Sequence, residues 1–347
     1  MPDRAPVGGA SVSEGFWRAF LDDPFSVRGL HREGDAWVVR TFQPGAVKVE
    51  LLDDGASRAM TALGEGFFLG MIARPTEYRL RIHWLDAIQE IDDPYRFGPV
   101  LGDVDLYLFS EGAHWNLAAK FGAVPMIHEG VEGVSFALWA PDARRVSVVG
   151  DFNSWDGRRH PMRLRHEAGV WEFFVPGLRP GELYKYQIVG PHGRVLPLRA
   201  DPVAREAEHP PGTASVVAPT ATFTWSDARW MAGRRQGADM PISIYEVHAA
   251  SWTRPNGTDT GILNWDGLAD RLIPYAKKLG FTHIELLPVM EHPFAGSWGY
   301  QPLSQFAPSS RHGTPQQFAR FIDRCHAHAL GVILDWVPAH FPNDKHG

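Results

Sequence analysis

The stretch Gly331-Val-Ile-Leu-Asp335-Trp-Val-Pro-Ala-His340 decides the fold. An apolar run closes on Asp335, and His340 follows five residues later. Bounded by a glycine on one side and a proline on the other, Val332–Val337 reads as a buried strand whose polar residues sit where strand gives way to loop. Two similar runs precede it, Pro241-Ile-Ser-Ile-Tyr-Glu-Val-His248 and Phe281-Thr-His-Ile-Glu-Leu-Leu-Pro288. Between the first two, Asp266 to Leu279 has apolar residues at helical spacing, with Gly280 as a stop. A second helix opens at Thr314-Pro315-Gln-Gln317, where an N-cap threonine, a proline at the first helical position and a glutamine two residues after it form a capping box. Phe318, Phe321, Ile322, Cys325 and Leu330 give that helix an apolar stripe, and Gly331 ends it. Strand, helix, strand, helix, strand implies a parallel sheet with right-handed crossovers. Chemistry in such sheets gathers where strands end, and His248, Glu291, His292, Tyr300, Asp335 and His340 all fall at that end.

The preceding part of the chain repeats itself. Phe42-Gln-Pro44-Gly-Ala46-Val-Lys-Val49 aligns with Trp139-Ala-Pro141-Asp-Ala143-Arg-Arg-Val146, and Asp54 with Asp151, at a constant separation of 97 residues. Arg74-Pro-Thr-Glu-Tyr echoes Arg179-Pro-Gly-Glu-Leu-Tyr. Both copies show short alternating β-branched or aromatic runs punctuated by turn residues, which predicts two tandem immunoglobulin-like β-sandwich domains. The expected boundaries are 15–115 and 116–230 for the sandwiches and 240–347 for the parallel-sheet region, with a helix from Ser110 to Phe121 as the bridge.

Composition narrows the class. Of 347 residues, 44% are apolar and 21% charged, as in an ordinary globular protein. A formal net charge of −6 and the lack of a basic stripe argue against a nucleic-acid partner. A single cysteine, Cys325, excludes an internal disulfide and suits a reducing compartment; its helical pattern predicts a buried thiol. Met1-Pro-Asp-Arg-Ala-Pro carries no apolar leader core, and no long uncharged apolar run occurs, so the expectation is a cytoplasmic protein that does not enter a membrane.

With these motifs in place, the chain resembles the bacterial 1,4-α-glucan branching enzymes of the α-amylase superfamily. Asp335-Trp-Val-Pro-Ala-His340 is similar to that superfamily's first conserved region. Ile244-Tyr-Glu-Val-His248 with Ser251-Trp252, and Trp298-Gly-Tyr300-Gln-Pro302, resemble the branching-enzyme forms of the first strand and second loop. Gly150-Asp-Phe-Asn-Ser-Trp-Asp156 is similar to the glycogen-binding modules. The resemblance implies a multidomain fold: two N-terminal all-β sandwich domains, the second like a glycogen-binding module, then the first three β/α units of an incomplete (β/α)8 TIM barrel. It also implies a retaining transglycosylation, with the nucleophile and acid/base on later strands beyond Gly347, so that this chain alone is expected to be inactive.

The same resemblance assigns supporting roles. Tyr300 would stack on the sugar ring, His340 would hydrogen-bond its 6-hydroxyl, and Asp335 would orient neighbours. Trp298 and His248 join them as substrate-binding candidates, His248 being equally open to a structural role. Ala339 stands where many α-amylases have a calcium-ligating asparagine; no metal site and no cofactor are expected. Trp155 is open to glycan contact or to core packing, Trp139 and Trp171 read as core, and Glu291 and His292 read as solvated loop residues. The expected partner is an α-glucan such as glycogen, and the expected state a monomer. A sister debranching hydrolase and a glucan-binding protein without catalysis are the competing readings.

Overall fold

The structure, a computed structural model, describes residues 23–220, 223–234, 240–255, 261–340 and 342–346. The chain forms two compact units: one holds residues up to Glu182 together with Tyr186–Pro197, the other Leu183–Lys185 together with Leu198–Gly347.

The first unit opens with strands β1 (Gly29–Glu33), β2 (Ala36–Phe42), β3 (Lys48–Asp53), β4 (Ala56–Ala59), β5 (Thr61–Gly64), β6 (Phe67–Ile72), β7 (Tyr78–His83) and β8 (Ile88–Asp92). They form two four-stranded sheets, β1-β2-β6-β5 and β4-β3-β7-β8. Alternation drives the packing: Tyr78, Leu80 and Ile82 of β7 point inward while Arg79 and Arg81 point outward. Helix α1 (Asp103–Ser110) follows, then β9 (Gly122–His128), β10 (Val131–Trp139), β11 (Arg145–Gly150), β12 (Arg163–Arg165), β13 (Val170–Pro176) and β14 (Leu183–Val189). Strands β12-β13-β10-β9 make one sheet of the second sandwich, and β11 neighbours β14 in the other.

Two expectations fail here. The bridging helix lies at Asp103–Ser110, before the Ser110–Phe121 stretch, which holds only a short 3-10 turn at Leu117–Ala119. Gly112, at φ +67°, ends the helix in the left-handed conformation that favours glycine. Trp139 is not core but 58% exposed. It shares a face of β10 with Ala137, which packs with Leu106 of α1, but lies at the strand's end, where the Phe109 ring meets it 6.4 Å away. Trp171, by contrast, is fully buried, as expected.

The sequence repeat is a repeat of hydrogen bonds. Gln43 N–H donates to the Gly66 carbonyl at 2.7 Å, as Ala140 N–H does to Gly169 at 3.1 Å. Val47 donates to His83 and Arg144 to Val189, at 2.8 and 2.9 Å. Both accepting glycines have positive φ, and a Cβ on either would come within 2.7 Å of Pro44 or Pro141. Gly66→Ala and Gly169→Ala should therefore each cost more than about 2 kcal/mol, combining left-handed strain with a backbone clash. Urea unfolding of the variants checks this, and a change inside ordinary surface scatter would contradict it.

A buried arginine ties the two sandwiches. Arg28, 2% exposed, donates to Tyr95 Oη at 2.8 Å and to the carbonyls of Arg159 and Arg158 at 2.7 and 2.6 Å. Burial lowers its pKa to about 10, so it stays charged at neutral pH. Beside it, His160 stacks under Phe152, and its Nδ1 accepts from Asn153 Nδ2 at 3.0 Å. Burial first, then the charges of Arg28 and Arg159, push His160 down to about 3. The unfolded chain takes up this proton near the ordinary value of 6.5 while the folded chain refuses it. This contribution to the stability of the unit is present above pH 6.5 and is lost as pH falls from there towards 3. An NMR titration should show His160 unprotonated at pH 5; protonation near its ordinary pKa would contradict the packing argument.

In the second unit, β15 (Glu206–Ala207) and β16 (Ser215–Val216) pair antiparallel, and β16 also pairs with Leu183 and Tyr184. A short helix, α2 (Ala228–Gly233), precedes the parallel-sheet region. There β17 (Ile244–Val247), helix α3 (Trp265–Lys278), β18 (His283–Leu286), the two-stranded β19 (Met290–Glu291) and β20 (Ser304–Pro308), helix α4 (Pro315–Ala327) and β21 (Gly331–Leu334) follow in order. Strands β17-β18-β21 form a parallel sheet, as the alternation of strands and helices predicts. Both helices pack on one face around Trp265, Leu272, Ile284, Leu286, Phe321 and Cys325, all buried. Helix α4 begins with the expected capping box: Thr314 Oγ1 accepts from Gln317 N–H, and the Gln317 side chain accepts from Thr314 N–H. The buried Cys325 thiol is pushed up to about 12 by desolvation, which leaves it unreactive.

Candidate functional site

The C-terminal ends of β17, β18 and β21 place the site residues. Strand β21 stops at Leu334, so Asp335 is the first residue beyond the ladder, where its N–H still donates to the Leu286 carbonyl at 3.0 Å. Tyr300 Oη donates to Asp335 Oδ2 at 2.6 Å. This bond, followed by partial burial and the charges of Asp335, Glu246 and Glu285, raises the Tyr300 phenol to about 12. The phenol is thus held neutral and its ring fixed. His340 Nδ1 meets the Tyr300 carbonyl at 3.2 Å; with a carbonyl as partner Nδ1 is the donor, which in the neutral ring leaves Nε2 free to accept. Sequence positions 300, 335 and 340 therefore converge.

The loop before Tyr300 is shaped by its backbone. Trp298 adopts φ +54° and Gly299 φ +88°. A Cβ on Gly299 would lie 2.2 Å from the Pro288 carbonyl oxygen, so only glycine allows this approach. The turn leaves the Trp298 indole 54% exposed and stacked on the His248 imidazole, with ring centroids 5.0 Å apart and planes 23° from parallel. His248 Nδ1 also pairs with Ser251 Oγ at 2.6 Å, and partial burial lowers its pKa. His248 thus joins Trp298 beside the Tyr300 group.

Glu291 and His292 are not solvated, contrary to expectation: they are 5% and 8% exposed. Glu291 accepts from Arg311 Nη1 at 2.6 Å, from Ser310 N–H and Oγ at 2.7 Å each, and from His292 N–H at 3.0 Å. Its carbonyl accepts from Leu303 N–H at 2.9 Å. The carboxylate therefore clamps the base of the loop that carries Trp298 and Tyr300. A loop carboxylate usually faces water; four donors converging on this one make burial tolerable.

Sequence reasoning passed over a pair of strand glutamates. Glu246 and Glu285 stand in register on β17 and β18, on the sheet face away from the helices. The signal lay in the matching patterns Ile-Tyr-Glu-Val and His-Ile-Glu-Leu, each with a carboxylate inside an apolar strand. Trp155 occupies a left-handed turn, φ +58°, and its indole N–H donates to Asp151 Oδ1 at 2.7 Å. It lies in the first unit, and the strand-end group in the second. Among the described residues no cluster of His, Cys, Asp and Glu could hold a metal ion, and no helix is long and apolar enough to cross a membrane.

Comparison with known proteins agrees with this organisation. Residues 14–95 match the profile of the alpha-1,4-glucan branching enzyme GlgB N-terminal domain, residues 120–204 that of carbohydrate-binding module 48 (isoamylase N-terminal domain), and residues 246–346 that of the alpha amylase catalytic domain. Over 329 residues the chain is 59% identical to the 1,4-alpha-glucan branching enzyme GlgB 2 of Xanthomonas oryzae pv. oryzae, an alignment covering 94% of this chain and 45% of that protein. It is 57% identical over 339 residues to the GlgB enzyme of Pseudomonas aeruginosa, covering 95% of this chain and 46% of the relative. A solved structure from Salmonella typhimurium, assigned only provisionally as an alpha amylase, is similar with a TM-score of 0.51 and 28% identity, over 65% of this chain and 34% of the other. The chain thus spans less than half the length of these branching enzymes. The order and identity of its three matched regions are those of the N-terminal portion of 1,4-alpha-glucan branching enzymes, to which the chain is similar.

Proposed function

We propose that these residues form the glucan-holding part of a branching enzyme, which cuts an α-1,4-linked chain and transfers the segment to a 6-hydroxyl. The observation that carries the reading is the convergence of Tyr300, Asp335 and His340 at the strand ends. Tyr300 offers a fixed aromatic face to a pyranose ring, and His340 Nε2 offers an acceptor to a hydroxyl at that ring's edge. Asp335 is committed to holding Tyr300. The stacked Trp298 and His248 extend the flat surface to a neighbouring sugar. Retaining transfer needs two carboxylates about 5 Å apart, one as nucleophile and one as acid/base. In this reading both come from strands beyond β21, and Asp335 serves positioning. Trp155 offers a further glucan contact in the second sandwich. The reading includes a monomeric, cytoplasmic enzyme acting on glycogen-like chains without a cofactor.

The experiment is product analysis on amylose, with these residues joined to the rest of an alpha-amylase-type barrel. New α-1,6 linkages by proton NMR, without a gain in reducing ends, are the expected result. A gain in reducing ends without new branches would replace transfer by hydrolysis.

A further inference from the structure

The first unit contains a cleft that the strand-end site does not explain. It lies between the two sandwiches, has a volume of about 410 Å³, and is lined by β7 and β8 on one side and by segments 152–160 and 175–182 on the other. That volume is in the range of small-molecule sites, which favour domain junctions. The Arg28 pin fixes both walls: its guanidinium bonds Tyr95 on one side and the carbonyls of Arg158 and Arg159 on the other. A ligand would meet a preformed cleft and would not have to order it.

The lining chemistry selects the ligand class. Trp84 and Phe152 contribute aromatic surface. Arg79 is answered within the wall by Glu90 at 3.4 Å and Asp92 at 3.7 Å, so its charge is not held in reserve for an anion. Arg159 lies over the Trp84 ring at 5.1 Å and donates to the Pro44 carbonyl at 3.1 Å. Gln89 and Gln43 add neutral amides. Aromatic surface beside amides, two arginines and the carboxylates of Glu90, Asp92, Asp93 and Glu182 offers both donors and acceptors to a polyhydroxylated ligand. An apolar ligand would leave these groups without partners, and an anion would face two arginines outnumbered by four carboxylates, whereas sugar hydroxyls can donate to those carboxylates. Another hollow, of about 480 Å³ beside β3 and β4, is lined by four carboxylates and by Arg79, Arg81 and Arg96, and offers only the buried Tyr78 as a ring.

We propose that the inter-sandwich cleft binds a segment of α-glucan, separately from Trp155 and from the Tyr300 site. Cleft size, aromatic surface and carboxylate-rich polar lining give the ligand as a neutral oligosaccharide; its identity as an α-glucan rests on the function proposed above. Trp155 is not among the lining residues.

Hydrogen–deuterium exchange on the 347-residue chain with millimolar maltoheptaose tests this, because it reports each site separately. Exchange should slow in Ile88–Asp92 and in segment 176–182. Trp84→Ala should weaken that protection about tenfold in maltoheptaose concentration, the loss of one aromatic contact. Because Trp84 also packs on the core of the first sandwich, Gln89→Ala, an exposed change, serves as the second variant and should weaken it in the same direction. Absence of protection in both segments at saturation, or protection unchanged in both variants, overturns the proposal. Protection of the cleft without protection of residues 298–301 would sink the strand-end reading and leave the cleft standing; the reverse pattern would sink the cleft alone.

Discussion

Tyr300→Ala, in an enzyme completed by the rest of the barrel, should lower kcat/KM on amylose by about a hundredfold or more, because the ring proposed to hold the sugar in register disappears. Tyr300→Phe keeps the ring and loses only the 2.6 Å bond to Asp335. It should fall between the wild type and the alanine variant. His340→Ala should lower turnover while leaving thermal stability nearly unchanged, since the side chain is exposed and has one long bond to the Tyr300 carbonyl. Steady-state kinetics decide the matter. An alanine variant at 300 with wild-type kcat/KM would show that the residue is scaffold rather than platform.

Glu291→Ala should destabilise the second unit by about 3–5 kcal/mol, the usual cost of removing one partner from a buried ion pair. Arg311 would keep its buried charge without the carboxylate, and Ser310 N–H and Oγ would lose their acceptor. Glu291→Gln preserves shape and part of the hydrogen bonding, so it should recover a substantial share of that loss. Because Glu291 closes the base of the loop, the glutamine variant should also disturb Tyr300 more than it disturbs distant helix packing. Urea unfolding followed by circular dichroism measures the first effect, and kinetics of the folded glutamine variant measure the second. A change below about 1 kcal/mol for the alanine variant would place Glu291 with ordinary surface carboxylates.

The sequence makes legible those features that depend on local pattern. Thr314, Pro315 and Gln317 specify a helix start through their own side chains, and the structure shows that cap. The 97-residue repeat survives as paired hydrogen bonds because Gly66 and Gly169 each allow a close approach to a proline. The order of the three parallel strands and the two helices between them follows from hydrophobic period, whereas the short pairs β15–β16 and β19–β20 do not. Strand lengths do not: Pro241–His248 yields only Ile244–Val247, since the flanking residues leave the ladder.

What pattern cannot show is cover supplied from elsewhere. Trp139 sits in an apolar strand, yet its exposure depends on how far α1 reaches along β10. Glu291 looks solvated until Ser310 and Arg311, nineteen and twenty residues later, return to it. Cys325 and Trp171 were readable because helical or strand alternation alone buries them. At the candidate site, the Asp335–His340 spacing was visible, but Tyr300 joins them through two bonds, spanning 35 residues to Asp335 and 40 to His340. Glu246 and Glu285 became neighbours only through the register of β17 and β18.

The most direct test of the account is fluorine NMR of the chain labelled with 5-fluorotryptophan, with the Trp298 signal assigned from a Trp298→Phe variant. Trp298 stands beside His248 in the loop that ends at Tyr300, so its signal reports on sugar at the strand ends. Maltoheptaose should shift the Trp298 resonance in a saturable way, and the shift should vanish in Tyr300→Ala while other tryptophan signals keep their response. A Trp298 signal that does not move at saturating maltoheptaose would contradict the assignment of this site to glucan.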